Sequence, residues 1–159
     1  MTFNPRNPLP DPAAAAVTQA LQGVLVTLID LSLTAKQAHW NVYGVQFLSV
    51  HEKLDEVVET ARDGLDVVAE RMVQLGTPPD GRAETVAATT PLKAYPKSFQ
   101  PVPETLRDVS DRLLSAAESV RAGIAVAGEH DPLTEDQLIA IAQPIEEQLW
   151  MLQAMAADG

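Results

Sequence analysis

The chain has 159 residues, 46% hydrophobic but only 4% aromatic, with eleven Lys+Arg against twenty-two Asp+Glu for a net charge of −11. That is enough for one domain with an aliphatic core, and the Ala-, Leu- and Glu-rich composition favours helix. The charge argues against a general nucleic-acid binder and suits attraction of cations, while the absence of cysteine excludes disulfides, thiolate catalysis and Cys-ligated zinc or iron–sulfur clusters.

Residues 1–12 are a proline-rich lead carrying Pro5, Pro8, Pro10 and Pro12 with one basic residue, Arg6, unlike the start of a signal peptide. Residues 13–159 read as a single domain. The apolar stretch from Ala13 to Leu33 is interrupted by Thr18, Gln19, Gln22, Thr27, Asp30 and Ser32, so no membrane span is expected and the expected location is the cytoplasm. Val17, Leu21, Val24, Leu28, Leu31 and Ala35 recur every three or four residues, which predicts a first amphipathic helix from about Pro12 to Trp40. A second runs from about Val45 to Leu75, stopped by Gly76 and the Pro78-Pro79-Asp80-Gly81 turn. The pattern then lapses to Pro103, with room for a short helix over Glu84 to Ala88 and with Pro91, Pro96 and Pro101 keeping the rest extended. A third helix is expected from about Pro103 to Ala127, then a turn over Gly128 to Pro132. A fourth is expected to be capped by Thr134 and to reach about Ala156, with Pro144 kinking it or removing a hydrogen bond. Short, long and short connections describe an all-α, ferritin-like four-helix bundle whose long second link crosses back along the bundle.

Several polar residues do not fit the core pattern. His39 lies eleven residues after Leu28, close to three helical turns, and so emerges on the buried stripe. On the second helix His51 and Asp55 are spaced four apart, as are Asp66 and Glu70, so each pair can converge on one ion. A lone buried histidine is more often a hydrogen-bonded core residue than a ligand, and acidic pairs four apart usually mark a solvated face; the set is what points to a metal. Imidazole and carboxylate without thiolate suit iron or zinc. The centre of His51/Asp55 lies roughly 22 Å along the helix from the centre of Asp66/Glu70, so one chain cannot wrap both around one ion. Two copies of this helix crossing antiparallel about a twofold near Thr60 and Ala61 would bring each pair opposite the partner's other pair. Ala61 and Gly64 are expected to allow close approach there.

The spacing His39–x11–His51–x3–Asp55–x10–Asp66–x3–Glu70, set in A-H-W-N-V-Y-G, F-L-S-V-H-E-K-L-D-E and D-V-V-A-E-R-M-V-Q-L-G, resembles the Dps family of mini-ferritins. T-P-L-K-A-Y-P and the E-Q-L-W of the last helix resemble it too, and the likeness extends from about Val17 to Met155. The resemblance implies a hollow homododecamer built from twofold dimers. It would oxidise Fe(II), preferentially with hydrogen peroxide rather than dioxygen, store ferric mineral and protect against oxidative damage. It implies that His39 of one subunit, with Asp66 and Glu70 of its partner, holds a first iron, and that His51 and Asp55 complete a weaker second position. Trp40 would lie close to this site, unless it serves core packing. No Glu-x-x-His occurs, which disfavours the within-bundle di-iron site of true ferritins.

Zinc is a substitute that His/carboxylate sites accept. Glu135 and Asp136 fall where the family's acidic threefold pores lie, although a helix N-terminus favours acids on its own account. His130 is expected in a solvated turn, and Arg62 with Asp63 could form an interface pair. Some family members bind DNA through a lysine-rich tail. Here the lead has no lysine and the last helix is followed by nothing basic, so tail-mediated DNA binding is not expected, leaving only binding bridged by cations. A nucleoid-associated, DNA-protecting protein with incidental iron chemistry is the competing reading, and a helical scaffold without metal a third.

Overall fold

The computed structural model describes residues 5–157. In chain order it contains α1 (Asp11–Asn41), β1 (Val42–Tyr43), α2 (Phe47–Gln74), α3 (Ala83–Thr89), β2 (Gln100–Pro101), α4 (Val102–His130) and α5 (Pro132–Ala156). The four long helices form the expected bundle. The lead's residues 1–4, and Asp158 and Gly159 after the last helix, lie outside the described residues.

The apolar repeats become one continuous core. Leu21, Leu28, Leu31, Leu54, Met72, Leu106, Leu113, Leu138, Ile145 and Leu152 are all fully buried, and each such side chain contributes about 1.5–3 kcal/mol relative to exposure. By length and composition α1 could cross a membrane, but its apolar stripe is spent inside the bundle, against α2 and α4. Helix α1 packs mainly on α2, and α4 on α5, with α1 against α4 joining the two hairpins and α2 meeting α5 more loosely.

The helix ends follow local chemistry. Pro12 sits in the first turn of α1, where its missing N–H costs nothing. The α2 stop is a Schellman motif: Gly76 has φ +82°, its N–H donates to the Val73 carbonyl at 3.0 Å, and the Thr77 N–H donates to the Met72 carbonyl at 2.9 Å. The start of α2 is later than the periodicity suggests, because Gly44 (φ +116°) and Gln46 (φ +65°) turn the chain before Phe47. Helix α4 runs through Gly128 to His130, so the expected turn over Gly128 to Pro132 shrinks to Asp131, and His130 is an exposed helix-terminal residue instead of a loop residue. Asp131 caps α5, accepting from the Leu133 N–H at 3.3 Å. Thr134, expected as the cap, lies inside the helix, fully buried, donating to the Asp131 carboxylate and accepting from Arg71 Nε at 2.8 Å. Helix α5 continues through Pro144, which has no N–H to offer the Ala140 carbonyl.

The crossover carries α3 as expected and is tied down at several points. Gln22 exchanges two 2.9 Å hydrogen bonds with the Asp80 backbone. The buried Arg112 guanidinium donates to the carbonyls of Lys93 and Ala94 at 3.2 and 2.8 Å. Its end pairs in parallel with the chain leaving α1, Val42 opposite Gln100 and Tyr43 opposite Pro101, a contact the helical periodicities do not announce. That bridge puts the start of α4 beside the end of α1, so α4 runs antiparallel to α1 and parallel to α2.

Candidate metal centre

Where α1 ends and α2 begins, His39 and His51 face each other. Their rings stack with centroids 3.5 Å apart at an interplanar angle of 24°. Each Nδ1 points at the other residue's backbone carbonyl: His39 Nδ1 to His51 O at 2.8 Å, and His51 Nδ1 to His39 O at 2.9 Å. A carbonyl can only accept, so both Nδ1 atoms carry hydrogen, and in the neutral ring the lone pair is on Nε2. This is the tautomer that second-shell bonds impose on metal-ligating histidines. His39 is buried, His51 is half-buried, and the Phe47 ring leans on His51 at 5.0 Å.

Asp55, one turn beyond His51, joins them. Its Oδ1 lies 3.3 Å from His39 Nδ1 and 2.5 Å from Lys36 Nζ. The Lys36 hydrogen bond, aided by the nearby positive charge, holds the Asp55 carboxyl below its ordinary value against a smaller opposing effect of burial. Lys36 is absent from the expected ligand set. The available signal was its spacing of three from His39, which puts both on one face of α1.

Asp66 and Glu70 are elsewhere. Helix α2 is unbroken from Phe47 to Gln74, so both stand near its far end, exposed, on the side of the helix that carries His51 and Asp55. Among the described residues no three His, Asp or Glu side chains of the single chain are grouped to hold a metal. The structure thus makes His39 and His51 neighbours, with Asp55 against His39 but no metal-holding group formed by the three, and leaves Asp66 and Glu70 apart.

Two expectations about neighbouring residues need correction. Ala61 and Gly64 do not lie open for a partner: Ala61 is fully buried, and a Cβ on Gly64 would meet Ile141 Cγ2 at 3.0 Å and Leu28 Cδ1 at 3.2 Å. Their small size serves the chain's own core, letting α5 and α1 approach α2. Core packing does not explain Trp40, which is 64% exposed in the chain. Arg62 and Asp63 are both exposed on the mid-part of α2, and no ion pair joins them. Glu135 lies over Gly128, and the exposed Asp136 lines a groove between α2 and α5 with Asp63 and Thr60.

Near that end of the bundle, buried Arg71 donates to Asp131 Oδ2 from Nη2 at 2.7 Å. Burial works to raise the Asp131 carboxyl, but the hydrogen bonds from Arg71 and Thr134, with the Arg71 charge, hold it below its ordinary value.

Known proteins share this fold. The family described as "Ferritin-like domain" matches residues 18–159. The DNA protection during starvation protein of Agrobacterium fabrum is 38% identical over 154 residues, covering 96% of this chain and 95% of its own. Among solved structures, Dps from Microbacterium arborescens in the high iron form is 34% identical with a TM-score of 0.89, covering 98% of this chain and 99% of that one. Mycobacterium smegmatis Dps in its tetragonal form is 34% identical with a TM-score of 0.91, covering 100% and 98%. The chain belongs to the Dps family of ferritin-like proteins.

Proposed function

We propose that the protein is a ferroxidase and iron-storage cage. It oxidises Fe(II), with hydrogen peroxide preferred over dioxygen, and keeps the ferric product as mineral inside a cytoplasmic homododecamer. The observation that carries this reading is the division of α2. Two histidines and a carboxylate stand at one end, the Nε2 atoms without a hydrogen-bond partner among the described residues, and a pair of exposed carboxylates, likewise without a partner among them, stands on the same side near the other. A twofold antiparallel contact between two α2 helices joins the two halves and makes two identical sites per dimer.

In that site His39 supplies a neutral, oriented nitrogen, and the partner's Asp66 and Glu70 supply the oxygen donors and the negative charge that retain a first Fe(II). His51 and Asp55 offer the second position. Zinc would compete for the same nitrogen and oxygen donors. Holding two ferrous ions together matters chemically. Each gives one electron, and peroxide that takes two becomes water, whereas peroxide that takes one releases hydroxyl radical. Protection of DNA, which the names of the relatives announce, then follows from consuming Fe(II) and peroxide together and needs no contact with DNA. Trp40, exposed beside His39, would close the site against the partner, and Glu135 and Asp136 would line the acidic entry pores.

The test is an anaerobic Fe(II) titration of the assembled protein, followed by addition of peroxide or air in separate arms. Saturable binding, faster ferric absorbance in the peroxide arm, and iron that sediments with a particle of dodecamer mass are expected. A monomeric protein, or one without saturable binding, overturns the reading.

A further inference from the structure

Asp66 and Glu70 take no hydrogen bond from the described residues, so only the placement of the α2 backbone decides where their carboxylates stand. The histidine half is held differently, by two bonds to opposing main chain. The carboxylate end of α2 depends on its seam with α5, and that seam is loose. Gly64 closes on Ile141, but Gln148 Nε2 reaches Thr60 Oγ1 only at 3.4 Å, and a groove of about 350 Å³ opens between the helices beside Asp63, Val67 and Asp136. Arg71, the residue after Glu70, is the exception. It is 7% exposed and donates from three nitrogens at once, to Thr134 Oγ1 at 2.8 Å, Asp131 Oδ2 at 2.7 Å and Gln74 Oε1 at 2.9 Å. Asp131 and Thr134 are the cap and first turn of α5, and among the described residues theirs is the only ion pair joining α2 to that helix end. A planar guanidinium with three fixed partners sets both the position and the rotation of the helix that carries it, which a point charge on a flexible stem does not.

We infer that Arg71 is a positioning residue for the first cation position: by locking α2 to α5 it aims Asp66 and Glu70 at the partner's His39. This rests on the function proposed above and adds to it a buried residue that touches no metal. Glu70 is bonded directly to Arg71 and Asp66 lies just over one turn earlier on the same unbroken helix, so a slide or rotation of α2 at Arg71 passes to both. Where groups must meet at a fixed geometry, a displacement of about 1 Å can cost on the order of 100-fold.

The experiment is equilibrium titration of the assembled protein with Co(II), read by its visible absorption, with denaturant unfolding run on the same samples. Three variants are compared with wild type. Arg71→Lys keeps the charge without the fork, and Asp131→Asn keeps both the α5 cap and an oxygen for Arg71 to bond. Arg71→Met combined with Asp131→Asn removes both buried charges together, so neither is stranded. Asp131→Asn should bind within about twofold of wild type. Arg71→Lys and the double variant should lose at least about tenfold in the tightest Co(II) step. In an Asp66→Asn background the double variant should add little further loss, since the carboxylate it positions is already gone, whereas general loosening would add its full effect. Wild-type affinity in a double variant that assembles, or a full additional loss on top of Asp66→Asn, overturns the inference while leaving the metal centre standing. No saturable step in wild type overturns the centre itself, and the inference with it. If the double variant does not assemble, Arg71→Lys decides: a tenfold weaker step with Asp131→Asn unchanged supports positioning, and an unchanged step refutes it.

Discussion

His39→Ala and Asp66→Asn should each abolish Fe(II) oxidation in a homogeneous particle, because every site loses a ligand, yet a mixture of the two should recover activity. The separation along α2 sets this expectation. His51/Asp55 and Asp66/Glu70 lie on one unbroken helix with their centres about 22 Å apart, so no rearrangement within a chain unites them. Asp66 is exposed, and substitution there should shift stability by about 0.5 kcal/mol or less. His39→Ala loses a hydrogen bond to His51 O and its packing on the His51 ring, together about 2–3 kcal/mol, which a domain of ordinary stability can bear. Both variants should therefore assemble. When equal amounts are dissociated and reassembled, about half the twofold dimers are mixed, and each mixed dimer has one site with native His39 and native Asp66, so about a quarter of all sites are whole. Initial rates of ferric absorbance after addition of Fe(II) and peroxide measure that fraction, and native mass spectrometry measures the mixing. Zero activity in particles shown to be mixed refutes the shared site.

Fe(II) affinity should fall between pH 7 and pH 5, since imidazole must be neutral to bind a cation and a free imidazole protonates near ~6.5; equal affinity at the two pH values counts against His39 as a ligand. DNA should not be retained in a mobility-shift assay at about 150 mM monovalent salt with divalent cations removed, given a charge of −11 per chain, and a shifted band there refutes the expectation. Arg71→Ala should cost about 3–5 kcal/mol in denaturant unfolding by stranding buried Asp131, and a loss under about 1 kcal/mol would show that the pair does not hold the end of the bundle. Asp131 is depressed in the folded state, so its contribution is complete above its unfolded value near ~3.9 and is lost as pH falls through the lower folded value; Asp131→Asn should flatten the acid limb of the stability curve.

The four long helices are legible because Leu and Val recur at helical spacing and glycine marks one helix end, and that pattern survives into the core almost residue by residue. Choices made by tertiary geometry are not legible. Asp131 and Thr134 are both acceptable caps in isolation; Arg71, sixty residues away in sequence from Asp131, settles which one turns outward to the α5 N-terminus. Small residues on α2 advertise close packing but not its direction, and Gly64 faces Ile141 and Leu28 of its own chain. The β1–β2 bridge joins segments with no alternation to reveal it. The spacing of the proposed ligands is legible because residues four apart share a face on any helix. Lys36 is hidden because its partner Asp55 is on another helix, and only the docking of α1 on α2 brings the two together.

The reciprocal bonds between His39 and His51 make the ring pair a gauge of how α1 and α2 are aligned. Each ring is anchored to the opposite helix's main chain, so sliding one helix past the other by a single residue, about 1.5 Å, would stretch both bonds at once. A ligand site mounted on two helices is usually only as accurate as their packing. Here the donors report that packing, through two imidazole N–H protons that should exchange slowly while the hairpin is seated and together become fast when it slips.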